Sequence, residues 1–158
     1  MVVPFFDAPF SFKQCLAIMI VLALCITNTV ASELSDIKWQ KRPLLIFAPD
    51  KEDQRLHQIR DNLRGKRCEL EDRDIMIAVI TQNGASKLGD SPLTSEYVKQ
   101  IRRRYAIAGD QFAVVLIGKD GGEKYRSYNL PDLDEVFVLI DGMPMRQSEM
   151  ARNAPACR

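Results

Sequence analysis

The sequence predicts an α/β domain: a four-stranded mixed sheet with helices on both faces, in the order β-α-β-α-β-β-α. Three observations carry that prediction. Three near-continuous apolar runs, PLLIF, DIMIAVIT and FAVVLI, read as strands covered on both faces, as parallel strands are. Helical patterns with acidic starts separate them, which is how parallel strands are joined. The stretch KDGG between two strand-like runs is a hairpin signal.

Bulk properties narrow the class. The chain has 158 residues, room for one domain with a real core. Its 22 basic and 21 acidic residues leave a formal charge of +1, so no general field draws it to nucleic acid or to an anionic membrane. There are no internal repeats and no low-complexity tracts.

Residues 15–26, CLAIMIVLALCI, form an uncharged apolar run preceded by Lys13 and followed by TNTVA. That form is a secretory signal peptide, with cleavage expected after Ala31. The competing reading is an uncleaved anchor through residues 15–31, but that run is near the lower limit for spanning a bilayer. A lipoprotein is disfavoured, because Leu24 rather than a small residue precedes Cys25. The expected organisation is therefore a leader over 1–31, a domain over 32–150 and a flexible tail over 151–158, in a periplasmic or secreted protein. Cys15 and Cys25 leave with the leader. Cys68 and Cys157 remain as a possible disulfide in an oxidising compartment.

Each element follows from local pattern. Leu34, Ile37 and Trp39 pack the lead-in. The first strand, residues 43–47, breaks at Ala48-Pro49, and Asp50 is expected to cap a helix whose first turn carries Glu52 and Asp53. Leu56, Ile59, Leu63, Arg67 and Leu70 share one helical face, with Gly65 marking an end and restart. Cys68 lies off that stripe, which implies a partly exposed thiol. DIMIAVIT is the second strand and QNGASKLGDSPL a loop. A second helix starts near Thr94, with Tyr97, Val98, Ile101 and Tyr105 inside. Lys99 and Arg102 to Arg104 are expected outside or at the C-terminal end, complementing the helix dipole, and a solvated helix end is preferred over an anion or nucleic-acid patch. FAVVLI and the segment after KDGG make the hairpin. Pro131 and Asp132 open a last helix, with Leu133, Val136, Phe137 and Ile140 inward. A right-handed βαβ unit, a crossover helix, a hairpin and a closing helix are what a thioredoxin-like fold requires.

The chemistry of such a fold is missing. A redox enzyme needs a low-pKa cysteine just after the first strand, where a helix N-terminus stabilises the thiolate. Residues 49–53 are Pro, Asp, Lys, Glu and Asp. The cis-proline expected before the third strand is absent too, since AGDQFAVV contains no proline. His57 is the only histidine and has no partner at ligand spacing, so it reads as a border residue. No G-x-S-x-G, H-E-x-x-H or P-loop occurs. No cofactor or metal is expected.

The stretches KWQKRPLLIFAPDKEDQRL, LEDRDIMIAVI, FAVVLIGKDGGEKYR and LIDGMPMRQSEM, within residues 36–150, together resemble a bacterial domain-of-unknown-function family, family 4174. It is related to a region shared by equarin, the coiled-coil-domain matrix protein and the sushi-repeat protein of vertebrates, the P-DUDES group. The resemblance implies a thioredoxin-like fold near the peroxiredoxins, and extracellular relatives associated with adhesion and matrix. It carries over no activity. It offers Trp39, Arg42, Pro49, Arg55, Lys119, Asp120, Lys124, Arg126, Pro144 and Arg146 as motif positions without roles. Of these, Arg55, Lys119, Arg126 and Arg146 are candidates for binding an anion or partner, with Arg55, Arg126 and Arg146 converging near the former active-site edge. Salt bridges to nearby acids are the competing use.

The expected function is an exported, noncatalytic binding or structural module. Its partner is an unknown protein or a small anionic ligand, with no nucleic acid and no membrane contact beyond an uncleaved leader. The alternative is a thiol peroxidase or disulfide-exchange enzyme using Cys68 and Cys157, which requires an accessible and acidic Cys68.

Overall fold

The computed structural model describes residues 34–152 and Cys157. The leader expected over residues 1–31 lies outside the described residues. Strand β1 (Arg42–Asp50) is the centre of one six-stranded sheet. It pairs in parallel with β2 (Ile75–Asn83) and antiparallel with β5 (Ala113–Ile117). Short strands β3 (Lys87–Leu88) and β4 (Ser91–Pro92) extend the β2 side, and β6 (Glu123–Ser127) flanks β5.

The continuous apolar runs are explained by burial on both faces. Leu44, Ile46 and Ala48 point to helices α1 (Gln54–Arg64), α2 (Arg67–Asp72) and α4 (Leu133–Asp141), meeting Leu56, Ile59, Leu63, Leu70, Val136 and Ile140. Leu45 and Phe47 point the other way, to Val98 and Ile101 of α3 (Ser95–Arg104) and to its C-cap Tyr105. Phe47 is fully buried, and its loss to Ala would cost about 3–5 kcal/mol. Helices therefore do cover both faces.

Several expectations are corrected. The sheet has six strands rather than four. The loop after β2 folds back, with Leu88 buried opposite Ala78. Gly89, at φ +57°, opens the two-residue turn between β3 and β4, a conformation glycine adopts without steric penalty. β1 does not break at Ala48-Pro49, because Asp50 still pairs with Asn83. Asp50 is therefore not the helix cap. Its carboxylate accepts from the Glu52 amide at 2.8 Å, and Asp53 caps α1 by accepting from the Arg55 amide at 2.8 Å. Gly65 does divide the helix, but Arg67 is exposed.

Trp39 does not pack inward. Its amide donates to the Lys119 carbonyl at 2.7 Å, its φ is +68°, and the residue is 60% exposed. That hydrogen bond fixes the lead-in to the hairpin turn and directs the indole outward. Thr94 and Asp132 cap α3 and α4 as their positions imply. A further helix, α5 (Pro144–Arg152), follows. Pro144 suits its first position, where a missing N–H is harmless. Residues 151 and 152 thus end a helix rather than begin a tail. Among the described residues no helix is long and apolar enough to cross a membrane.

Candidate functional site

This fold would hold a nucleophile at the carboxyl end of β1. Here the turn is filled by its own charges. Arg55 grips the Asp53 carboxylate through Nε at 3.0 Å and Nη2 at 2.6 Å, and its guanidinium stacks over Phe112 at 4.7 Å. The Arg55 hydrogen bond holds the Asp53 carboxyl below its usual range. His57 is exposed, 4.0 Å from Glu52. No group of three metal-ligating side chains occurs among the described residues. The turn at residues 49–53 has no sulfur.

Behind the turn sits a residue the sequence reading placed in solvent. Arg102 is buried, at 5% exposure. Its Nη2 donates to the Ala48 carbonyl at 2.6 Å and the Ile80 carbonyl at 3.2 Å, and its Nη1 to the Ala108 carbonyl at 2.7 Å. It thus ties the ends of β1 and β2 to the loop before β5, with its guanidinium 5.6 Å from the Phe47 ring centre. The sequence signal was its spacing: Arg102 stands four residues after inward Val98, on the same helical face. Lys99, Arg103, Gln82, Ala106, Ile107, Ala108 and Gly109 join it around an open cleft of about 410 Å³.

The opposite rim of the sheet, at the start of β1, is a closed edge held by charge. Arg42, 1% exposed, holds Glu149 of α5 with two bonds of 3.1 Å and the Arg73 carbonyl with one of 2.9 Å. Lys119 reaches Glu149 at 2.7 Å and Asp74 at 2.8 Å, and Lys41 completes Asp74 at 2.8 Å. Alongside, Arg146 of α5 pairs with Asp72 and, at 3.1 Å, with Asp141, which Arg73 also holds at 2.5 Å. Burial works to raise the carboxyl pKa values of Asp74 and Glu149. The hydrogen bonds from Lys119 and Lys41, and from Arg42 and Lys119, outweigh it and keep both groups low. Burial likewise opposes the charge on Arg146, and Asp141 and Asp72 overcome it.

The four candidate cations therefore do not converge. Lys119 and Arg146 lie at the closed edge. Arg55 lies at the other end of β1, and nine residues of strand separate the two edges by roughly 25 Å. Arg126 is on β6, clasping Glu123 at 2.7 and 2.8 Å and donating to the Tyr105 carbonyl at 2.8 Å. Glu123 is the main cause of its raised pKa. Each of the four has a carboxylate partner. Cys68 and Cys157 are joined in a disulfide, with Cα atoms 5.8 Å apart across 89 residues of sequence. The bridge fastens the segment after α5 to α2, which leads into the start of β2. It lies toward the closed edge, away from the turn at residues 49–53.

Two outcomes follow from the closed edge. Asp74 and Glu149 hold protons less readily when folded, so their contribution is complete above the ordinary values of 3.8 and 4.5 and is lost as pH falls through the lower folded values. The urea midpoint is expected to be flat from neutral pH to about pH 5 and then to fall, and to fall less steeply in Glu149→Gln. Reduction of the disulfide should release α5 first, since Arg146 is its one buried side chain. Hydrogen exchange over residues 144–152 should quicken by at least about tenfold with β1 and β5 unchanged, reading local opening rather than global unfolding.

Comparison with known proteins places the chain. A family model described as "Domain of unknown function (DUF4174)" matches residues 33–149. Coiled-coil domain-containing protein 80 of Danio rerio is 27% identical over 135 residues, covering 75% of this chain and 16% of that protein. Sushi repeat-containing protein SRPX2 of Rattus norvegicus is 24% identical over 130 residues, covering 80% of this chain and 28% of that protein. The chain thus spans less than a third of the length of these relatives. Among solved structures, the reduced 2-Cys peroxiredoxin of Plasmodium vivax superposes with a TM-score of 0.58 at 17% identity, covering 73% of this chain and 72% of that one. The mitochondrial 2-Cys peroxiredoxin of Plasmodium falciparum gives 0.53 at 16% identity, over 80% and 87%. These likenesses agree with the strand order in assigning a thioredoxin-like fold. With a family model spanning most of its length, the chain belongs to the DUF4174 family, a domain of unknown function.

Proposed function

We propose that the domain is an exported, noncatalytic thioredoxin-like module that binds a partner or ligand. The observation that carries this reading is the turn at residues 49–53. Where the fold offers a helix N-terminus to a thiolate, the chain has Asp50, Glu52 and Asp53, and Asp53 already occupies the cap. A thiol placed among those carboxylates would be pushed toward its protonated, unreactive form. The two described cysteines are consumed in a bridge at the other edge.

Support for export comes from the leader pattern of residues 1–31 and from the disulfide, which persists in oxidising compartments. The two curated relatives are named for a coiled coil and for sushi repeats rather than for an enzymatic activity. The partner class is a protein or a small anionic ligand.

Peroxide consumption and insulin reduction by the purified chain test the reading directly. Neither rate is expected to exceed the buffer rate, for the wild type or for the Cys68→Ser, Cys157→Ser double variant. Turnover lost in the double variant would establish the thiol-enzyme alternative, and turnover surviving it would establish another active site. Either result removes the noncatalytic reading.

A further inference from the structure

Among the described residues four cationic side chains are more than nine-tenths buried: Arg42, Arg102, Lys119 and Arg146. Three face carboxylates. Arg102 does not. Its partners are three backbone carbonyls, and its Nε is shielded from solvent with no partner at all. Desolvation alone lowers its pKa, with no acid offsetting it. A desolvated cation without a counter-charge is expensive to keep, and carbonyl dipoles compensate it only in part. Its positive field therefore persists in whatever space it borders.

That space is the cleft of about 410 Å³ lined by Gln82, Lys99, Arg102, Arg103, Ala108 and Gly109. It lies outside the carboxyl ends of β1 and β2, where open α/β sheets place their ligands. Lys99 and Arg103 stand one turn apart on α3 and share the single carboxylate of Glu96, at 3.8 and 3.4 Å. All three side chains are at least two-thirds exposed, so those contacts hold the cations weakly and leave them free to swing. A Cβ at Gly109 would come within 3.2 Å of the Gln82 side chain. The glycine thus lets that exposed carboxamide lie against the loop.

We propose that this cleft binds a phosphate group, with Lys99, Arg103 and the Gln82 carboxamide donating to its oxygens and the buried Arg102 guanidinium supplying a fixed positive charge behind them. A tetrahedral dianion gains from several separate cations where a monoanionic carboxylate gains from one or two. The inference rests on the binding reading above. A flat titration would remove this inference alone, whereas enzymatic turnover would remove the binding reading whatever the titration gives.

The test is a titration of the ¹⁵N-labelled chain with inorganic phosphate at constant ionic strength, followed on the Ala108 and Gly109 amides and the Gln82 side-chain amide. Saturating shifts at these three sites are expected. The dissociation constant should weaken about tenfold in the Lys99→Ala, Arg103→Ala double variant, which removes two exposed contacts and no core group. Acetate should bind weaker by a similar factor. Methyl phosphate, run in parallel, separates the sources: whichever of the two phosphates binds tighter names a free ion or an ester. Shifts that fail to saturate, that survive the double substitution, or that acetate reproduces at the same concentration would overturn the proposal.

Discussion

The Glu149 carboxylate is the group on which the closed edge of the sheet depends. It neutralises Arg42 at the start of β1 and Lys119 just past β5 at once. Neither cation has much access to water, at 1% and 9% exposure. Pairing two cations with one acid leaves a shortfall, which Asp74 makes up through Lys119. Buried ion pairs add little net stability over an apolar replacement, but removing one member is severe because it strands the other. The network therefore acts as a specificity device. The placement of α5 satisfies Glu149 and Arg146 together, and the Cys68–Cys157 bridge ties the following segment to α2.

This gives the motif stretches a physical meaning. Lys41 and Arg42, Asp72 to Asp74, Lys119, and Asp141 with Arg146 come from four separate segments of the chain. They meet as alternating charges at one edge. What the family resemblance rests on is thus largely a device for closing the fold, and the residues of the motif are not by that fact functional. The opposite edge is where the scaffold has freedom. There the turn that could hold a nucleophile is stopped by Asp53 and Arg55, and the neighbouring cleft is lined by Arg102.

Much of the scaffold was legible because burial dictates pattern. β1, β2 and β5 read as apolar runs because both their faces are covered, and Thr94 and Asp132 are capping residue types just ahead of apolar periods. Other features lacked any such signal. β3 and β4 have two residues each, too few for alternation to show. Asp50 and Asp53 are equal capping candidates by type, and only the pairing of Asp50 with Asn83 decides between them. α5 buries an arginine rather than an apolar stripe, so it has no periodicity to read. Arg102 does have a signal in its spacing from Val98, but it stands in a run of three arginines at a helix end, where solvation is the ordinary expectation. Trp39 reads as an apolar side chain packing the lead-in, and one backbone hydrogen bond turns it out.

The central claim is that charge pairing, rather than apolar contact, docks α5 and closes this edge. A double-mutant cycle on Arg42→Met and Glu149→Leu, measured by urea unfolding, tests it most directly. Each single substitution is expected to destabilise by about 3–5 kcal/mol, and the double variant to recover at least about 2 kcal/mol of the summed loss. Additive losses, with a coupling below about 0.5 kcal/mol, would contradict the account.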